Sequence, residues 1–235
     1  MTLSSTLNDR LLAEGPVLCQ VIQDIHRRGW CDGTGGNFSS LLNADPMCLL
    51  MAPSGVDKGS LHPADLIVVD GSGQVMVGKG KASAETLLHL TILTTTNAKA
   101  VLHTHSQAAT LLSRHPTISP LVEAVDASLP ALLGYLQISG LEMLKGLEGI
   151  QTHNASIAIP IIDNCQDMTL LSQAAHPYVD KAPHGLLIAG HGLYAWGDSL
   201  LQARRHLEIL EFLLEQHWRA SLFNCLLTSR QANPQ

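Results

Sequence analysis

Three short apolar runs separated by turn-forming residues constrain the fold of this chain more than any other feature. The runs are "MCLLMA" (47–52), "DLIVVD" (65–70) and "QVMVG" (74–78), and each has the length of a β-strand. The spacers that follow them include "PSG", "DGSG" and "GKGKAS", whose residues favour turns. Spacers of this kind suit antiparallel neighbours, so the pattern predicts a β-meander.

Helical periodicity flanks this meander. Apolar residues recur at helical spacing over residues 7–25, a period that Pro16 could interrupt. A second helix is predicted from Ser83, with that serine as the N-cap and Glu85 in the first turn. Another helix is expected to begin after Ser106.

The rest of the chain combines strands with a long closing helix. Strands are predicted at "AVLHTH", "ASIAIPII" and "GLLIAGHGLYAW", and Asp198 is the expected cap of the last helix. Helices and meanders are therefore mixed without strict βαβ alternation. This favours an α/β fold, a three-layer α/β/α sandwich around a central mixed, largely antiparallel sheet.

Composition limits the classes of protein to consider. With 235 residues we expect a single domain over residues 1–235. A net charge of −6 and 14% charged residues argue against a nucleic-acid partner. The first residues resemble no secretory leader and no segment has eighteen consecutive apolar residues, so we expect a cytoplasmic protein without a membrane partner. Five cysteines without C-x-x-C spacing predict free thiols.

Histidines stand at the ends of two predicted strands. In "VLHTHS" His103 and His105 would share one face of a strand and Thr104 the other. His191 ends a second apolar run and is followed by Gly192, which allows a tight turn. An isolated H-x-H pair is more often a packing feature, but three neutral imidazoles would make a metal site with open coordination positions.

Three segments have the composition of anion-binding loops: "GTGGNFS" (33–39), "APSG" (52–55) and "KASAE" (81–85). Small residues allow backbone N–H groups to converge on an anion, and the hydroxyls of Ser54 and Ser83 can donate to it. Each segment alone is a weak signal, and "GTGGNFS" is equally explained as a glycine-rich turn without a ligand.

Five segments of the chain resemble the motifs of the class II aldolase/adducin family and occur in the same order, over roughly residues 29–197. They are "GTGGNFS", "APSG", "SAE", "HTHS" and "HG". The resemblance implies a class II aldolase-like fold and an enzyme with one zinc ion per subunit. It also implies a small phosphorylated keto-sugar as substrate, and a homotetramer with its active sites at subunit boundaries.

The resemblance also implies roles for individual residues. It implies that His103, His105 and His191 are the metal ligands. It assigns the substrate phosphate to Asn37, Ser54, Gly55 and Ser83.

Two carboxylates are the catalytic candidates that the resemblance implies. Glu85 matches the acid/base carboxylate of the aldolases, and Glu142 in "GLEMLKGL" matches the proton-transfer carboxylate of the family's dehydratases. The chain has Ala52 and Ala84 where aldolases read T-P-S-G and S-S-E, so two hydroxyls of the aldolase phosphate site are missing.

The segments "GWCDGTGGNFS", "APSGVDKG" and "LEMLKGL" resemble the family's methylthio-sugar phosphate dehydratases of methionine salvage more than its aldolases. The resemblance therefore implies a zinc-dependent dehydration. A sugar-phosphate aldolase or 4-epimerase is the alternative enzyme, because all three reactions use the same kind of enediolate. An adducin-like interaction module without catalysis is the alternative from a different class.

Overall fold

A computed structural model describes residues 4–118 and 128–232. The helices and strands in these segments are α1 (Ser5–Arg27), β1 (Asn37–Ala44), β2 (Met47–Met51), β3 (Ile67–Asp70), β4 (Val75–Val77), α2 (Thr86–Thr95), β5 (Ala100–Thr104), α3 (Gln107–Leu112), β6 (Leu132–Ser139), β7 (Ser156–Ile162), α4 (Met168–Val179), β8 (Gly185–Ile188), β9 (Gly192–Gly197) and α5 (Leu200–Ala232). Short 3₁₀ helices lie at Lys58–Ser60, Pro63–Asp65 and Glu142–Gly146.

The strands form one mixed sheet in the order β4-β3-β2-β1-β5-β9-β8-β7-β6. Within the described segments β7 and β8 are parallel, and every other neighbouring pair is antiparallel. The predicted meander is confirmed as the consecutive antiparallel strands β2, β3 and β4. The predicted strands of the second half are present as β5, β7, β8 and β9.

Helices cover both faces of this sheet. Helices α1, α3 and α5 share one apolar cluster with the sheet, and α2 and α4 share another. Neighbouring strand residues alternate between the two clusters: Leu50 and Val68 belong to the first, Leu49 and Val69 to the second. The predicted three-layer sandwich is therefore confirmed. Within the described segments, no helix is long and apolar enough to cross a membrane.

Strand β1 was not predicted. Its sequence "NFSSLLNA" carries polar residues at Asn37, Ser39 and Ser40, so it has no alternating apolar pattern. All three are buried because β1 lies between β2 and β5 in the middle of the sheet. Their side chains hydrogen-bond to groups on the helices on either side, Ser39 to His89 and Ser40 to Glu14.

Helix α1 continues through Pro16, so the expected interruption is wrong. Leu11 before the proline, and Leu18 and Ile22 after it, pack into the same apolar cluster. This packing holds the helix together despite the backbone hydrogen bond that proline removes.

Two predicted helix caps are also wrong. Helix α2 begins at Thr86, and the Ser83 hydroxyl instead accepts a hydrogen bond from the Glu85 amide in the preceding turn, at 3.2 Å. Helix α5 begins at Leu200, and Ser199 caps it by accepting from the Gln202 amide at 3.2 Å. Serine and aspartate both cap well, so sequence alone does not separate adjacent candidates.

The chain buries a carboxyl group between β5 and α5. Thr104 points away from the face of His103, and its hydroxyl donates to Glu211, whose side chain is 2% exposed. Burial raises the pKa of Glu211 from 4.5 to about 7. The folded protein therefore holds this carboxyl protonated at a pH where the unfolded chain ionises it.

We expect Glu211→Gln to flatten the pH dependence of stability. Because the pKa of Glu211 is raised on folding, its contribution is present below about pH 4.5 and is lost as the pH rises through about 7. Between pH 5 and 8 the free energy of unfolding should fall by on the order of 2 kcal/mol more in the wild type than in the variant. Urea denaturation of both proteins checks this, and parallel pH profiles would contradict it.

Candidate metal centre

Three histidines lie close together where the end of β5 meets the start of the neighbouring strand β9. His103 lies in β5, His105 directly follows it, and His191 lies in the turn that joins β8 to β9. Strand β5 pairs with β9 so that Thr104 is opposite Leu193, which brings the turn beside the end of β5. The Nε2 atom of His103 is 2.8 Å from that of His105 and 3.3 Å from that of His191, and the last two are 3.1 Å apart.

These ring nitrogens suit a divalent cation. Nδ1 of His103 lies 3.0 Å from the carbonyl oxygen of Leu193, to which it donates when it carries the ring proton, so that the Nε2 lone pair faces the other two rings. Burial lowers the pKa of His103 well below its usual value, and burial also lowers that of His105. In tetrahedral zinc coordination, with Zn–N distances of about 2.0–2.1 Å, two ligand nitrogens lie about 3.3 Å apart. The Nε2–Nε2 distances in this cluster are close to that value.

Two glycines allow the histidines to approach. A Cβ atom on Gly192 would overlap the carbonyl oxygen of Thr104, where the turn crosses the end of β5. A Cβ on Gly35 would lie 2.9 Å from Nδ1 of His105, closer than side-chain packing allows. Glycine at these positions is therefore a steric requirement of the site.

Glu85 lies against the histidines. Its Oε1 is 3.0 Å from Nε2 of His191, and its Oε2 is 3.5 Å from Nε2 of His103. The Tyr194 hydroxyl donates to Oε2 at 2.9 Å, and the Asn37 amide donates to the same oxygen. Burial opposes ionisation, but the contacts with His191 and His103 and the Asn37 hydrogen bond outweigh it and hold the pKa of Glu85 well below its usual range.

A cavity of about 190 Å³ adjoins Glu85 and His105. Residues 34–37, 52–54 and 83–85 line it together with His105. The three glycine- and serine-rich segments thus meet here, and Asn37, Ser54 and Ser83 share one cavity. Gly55 follows Ser54 with a φ of +75°, a conformation that favours glycine.

Glu142 is not beside the histidines in the single chain. It lies on the 3₁₀ helix Glu142–Gly146, and its side chain is 72% exposed. Its charged partners within the described segments are Lys145 at 2.7 Å and His153 at 3.9 Å. The hydrogen bond from Lys145 lowers the pKa of Glu142.

A second group of ligand-type side chains, Glu148, His184 and His206, is less suited to a metal. Nε2 of His184 lies 3.4 Å from the Glu148 carbonyl oxygen, and Nε2 of His206 accepts from the Glu148 amide at 3.4 Å. The two rings stack with centroids 4.1 Å apart instead of converging on one point.

Sequence reasoning missed two residues of the first site. Tyr194 stacks on His103 with ring centroids 3.9 Å apart, and His89 contacts Asn37. Each carried a weak signal: Tyr194 lies three residues after His191 in the same predicted strand segment, and His89 lies four residues after Glu85, on the same face of a helix.

With this geometry in place, comparison with known proteins identifies the family. Residues 17–218 match the family described as "Class II Aldolase and Adducin N-terminal domain". The chain belongs to this family.

Its relatives cover most of the sequence. One from Yersinia pseudotuberculosis, named methylthioribulose-1-phosphate dehydratase, is 41% identical over 203 residues, 85% of this chain and 84% of the relative. A relative of the same name from Marinobacter nauticus is 38% identical, over 81% of this chain and 86% of its own length. The crystal structure of L-fuculose-1-phosphate aldolase from Thermus thermophilus covers 92% of this chain and 97% of its own, with a TM-score of 0.66 and 24% identity, and so shows likeness of fold.

We expect purified protein to bind a divalent cation through the histidine cluster formed by His103, His105 and His191. Changing any one of the three to alanine removes a ligand and should weaken cation binding by on the order of 100-fold or more. Metal analysis and competition with a chelator measure the loss. His176→Ala, on the exposed face of α4, is the matched control. Undiminished affinity in all three cluster variants would contradict the site.

Proposed function

We propose that this protein is a metal-dependent dehydratase that converts 5-methylthioribulose 1-phosphate to 2,3-diketo-5-methylthiopentyl 1-phosphate and water, a step of methionine salvage. The observation that carries the proposal is the 38–41% identity, over more than four-fifths of the chain, to relatives that bear this enzyme's name. The histidine cluster and Glu85 supply the kind of side chains that such chemistry needs.

The proposed cofactor is one zinc ion per subunit, held by His103, His105 and His191. Neutral imidazoles are suitable zinc ligands, and three of them leave a coordination position open, as in catalytic zinc sites. We also propose a single domain over residues 1–235 that assembles as a homotetramer in the cytoplasm. The exposure of Glu142 in the single chain is compatible with an active site at a subunit boundary.

The substrate phosphate is proposed to occupy the cavity lined by the glycine- and serine-rich segments. Ser83 accepts a hydrogen bond from the Glu85 amide, which leaves its own hydroxyl proton to donate to an anion. Ser54 lines the same cavity, and a Cβ on Gly55, the next residue, would have no other atom within 4 Å. The Asn37 side chain already donates to Glu85, so its second amide proton is the one available to the substrate.

The reaction removes the proton from C3 and the hydroxyl group from C4. A divalent cation held by His103, His105 and His191 would supply the Lewis acidity that acidifies the C3 proton. Glu142 is proposed to take the C3 proton and to return it to the departing C4 hydroxyl, which leaves as water. The electron pair of the C3–H bond thereby forms the new double bond, and tautomerisation of the resulting enol gives the 2,3-diketone. Glu85, held by Asn37 and Tyr194, orients the bound substrate or shares the proton transfer.

The alternatives have less support. Likeness to aldolases rests on solved structures at 24% identity or less, which speak only for the fold. An adducin-like module without catalysis would not require the close approach of three ring nitrogens and an ionised carboxylate.

The decisive experiment follows the products by mass spectrometry. Zinc-loaded protein is incubated with 5-methylthioribulose 1-phosphate and, separately, with fuculose 1-phosphate and ribulose 5-phosphate. We expect loss of one water from the first compound alone. Cleavage or epimerisation of either comparison compound, with the first unchanged, would replace the proposed function by the aldolase or epimerase alternative.

Substitution of Glu142 tests its role in proton transfer. We expect Glu142→Gln to lower kcat by at least about 100-fold with full zinc content, because glutamine cannot carry the proton. The exposed Glu148 follows the same 3₁₀ helix, so Glu148→Gln is the matched control and should turn over normally. A nearly normal rate for Glu142→Gln would leave Glu85 as the proton-transfer group.

A further inference from the structure

A buried chain of hydrogen bonds leads from the sheet to Glu85. Ser39 Oγ lies 2.7 Å from Nδ1 of His89, Nε2 of His89 contacts Oδ1 of Asn37, and the Asn37 amide donates to Glu85. Ser39 and His89 are each 0% exposed, and Asn37 is 6% exposed. We infer that His89 is a positioning residue, which orients the Asn37 amide so that its amino group faces Glu85. The inference rests on the proposed function in so far as Glu85 belongs to the reaction site.

The direction of each hydrogen bond follows from the atoms that meet. The amino group of Asn37 contacts Glu85, and the carbonyl oxygen of Asn37, which can only accept, contacts Nε2 of His89. Nε2 of His89 must therefore carry the proton, and Nδ1 accepts from the Ser39 hydroxyl. One tautomer of one ring thus sets the orientation of the amide.

His89 is suited to hold a single neutral tautomer. It lies in α2, one helical turn after Glu85, and its ring packs edge-on against Tyr194 with centroids 5.9 Å apart. Burial lowers the pKa of His89 to about 4, so the ring stays uncharged at neutral pH. An uncharged ring with Nε2–H donates one hydrogen bond to Asn37 and accepts one from Ser39.

The Asn37 amide helps to hold the Glu85 carboxylate against the histidine cluster. Asn37 and Tyr194 both donate to Oε2, and Oε1 lies 3.0 Å from Nε2 of His191. A reversed amide would turn its carbonyl oxygen toward the carboxylate, and the two oxygens would repel each other. His89 opposes this reversal. In a reversed amide the amino group of Asn37 would face the Nε2–H group of His89, and two donors cannot form a hydrogen bond.

The kinetic test compares His89→Leu with His89→Gln. Leucine removes the donor to Asn37, so kcat should fall by about 10- to 100-fold with zinc content unchanged and KM altered less. Glutamine restores an N–H donor and should recover much of the rate. His206→Leu also removes a buried histidine, one that contacts the Trp196 carbonyl oxygen, and serves as the control with a nearly normal kcat.

A double-substitution cycle separates positioning from general stability. If His89 acts through Asn37, adding His89→Leu to Asn37→Leu should change kcat by less than about threefold. A full additional loss in that background would overturn the inference, as would a His89→Leu enzyme as active as the His206→Leu control.

A measurement of the tautomer in the wild-type protein does not depend on turnover. Nitrogen-15 NMR of histidine-labelled protein distinguishes the two neutral tautomers, and the His89→Gln spectrum assigns the signal. We expect His89 to be neutral with the proton on Nε2 from pH 6 to 8. A proton on Nδ1 would overturn the inference. Because this result does not depend on the substrate, failure of the wild type to dehydrate 5-methylthioribulose 1-phosphate would count against the proposed function alone.

Discussion

The pairing of β5 with β9 is the constraint on which the site depends. It sets His103 opposite Tyr194 and brings the turn that carries His191 against the end of β5. This pairing is close because Gly192 has no side chain to meet the carbonyl oxygen of Thr104. A one-residue slip of either strand would turn its side chains to the opposite face, so the register of two strands fixes the three ring nitrogens together.

Successive side chains of β5 point to opposite faces of the sheet and belong to two different polar networks. His103 faces the layer that contains α2, where Glu85 and His89 lie, and Thr104 faces α5 and Glu211. Each face buries polar groups that pair with one another, His89 with Asn37 on one face and Thr104 with Glu211 on the other. Leaving one of them unpaired would cost on the order of 1–3 kcal/mol, so the polar network is also a condition of folding. The arrangement of the site and the stability of the central sheet are therefore linked.

Much of this architecture was predictable because local pattern expresses it. Strands β2, β3 and β4 are apolar runs bounded by turn residues, and the histidine spacing in "HTH" requires a shared face once the segment is a strand. Strand β1 was not predicted, because no local sequence pattern marks it as a strand. Its buried serines and asparagine are paired by groups on α1 and α2, which lie elsewhere in the sequence.

The sequence by itself determined the kinds of chemistry present: imidazoles at two strand ends, small residues in three loops, and a carboxylate at the start of α2. Only the tertiary structure decided how they combine. It joined Glu85 to the histidine cluster, committed the Asn37 amide to Glu85 and His89, and left Glu142 exposed on its 3₁₀ helix. The physical reason is that hydrogen bonds and ligand distances depend on strand register and on helix packing across the sheet. Residue spacing along the chain does not specify either of these.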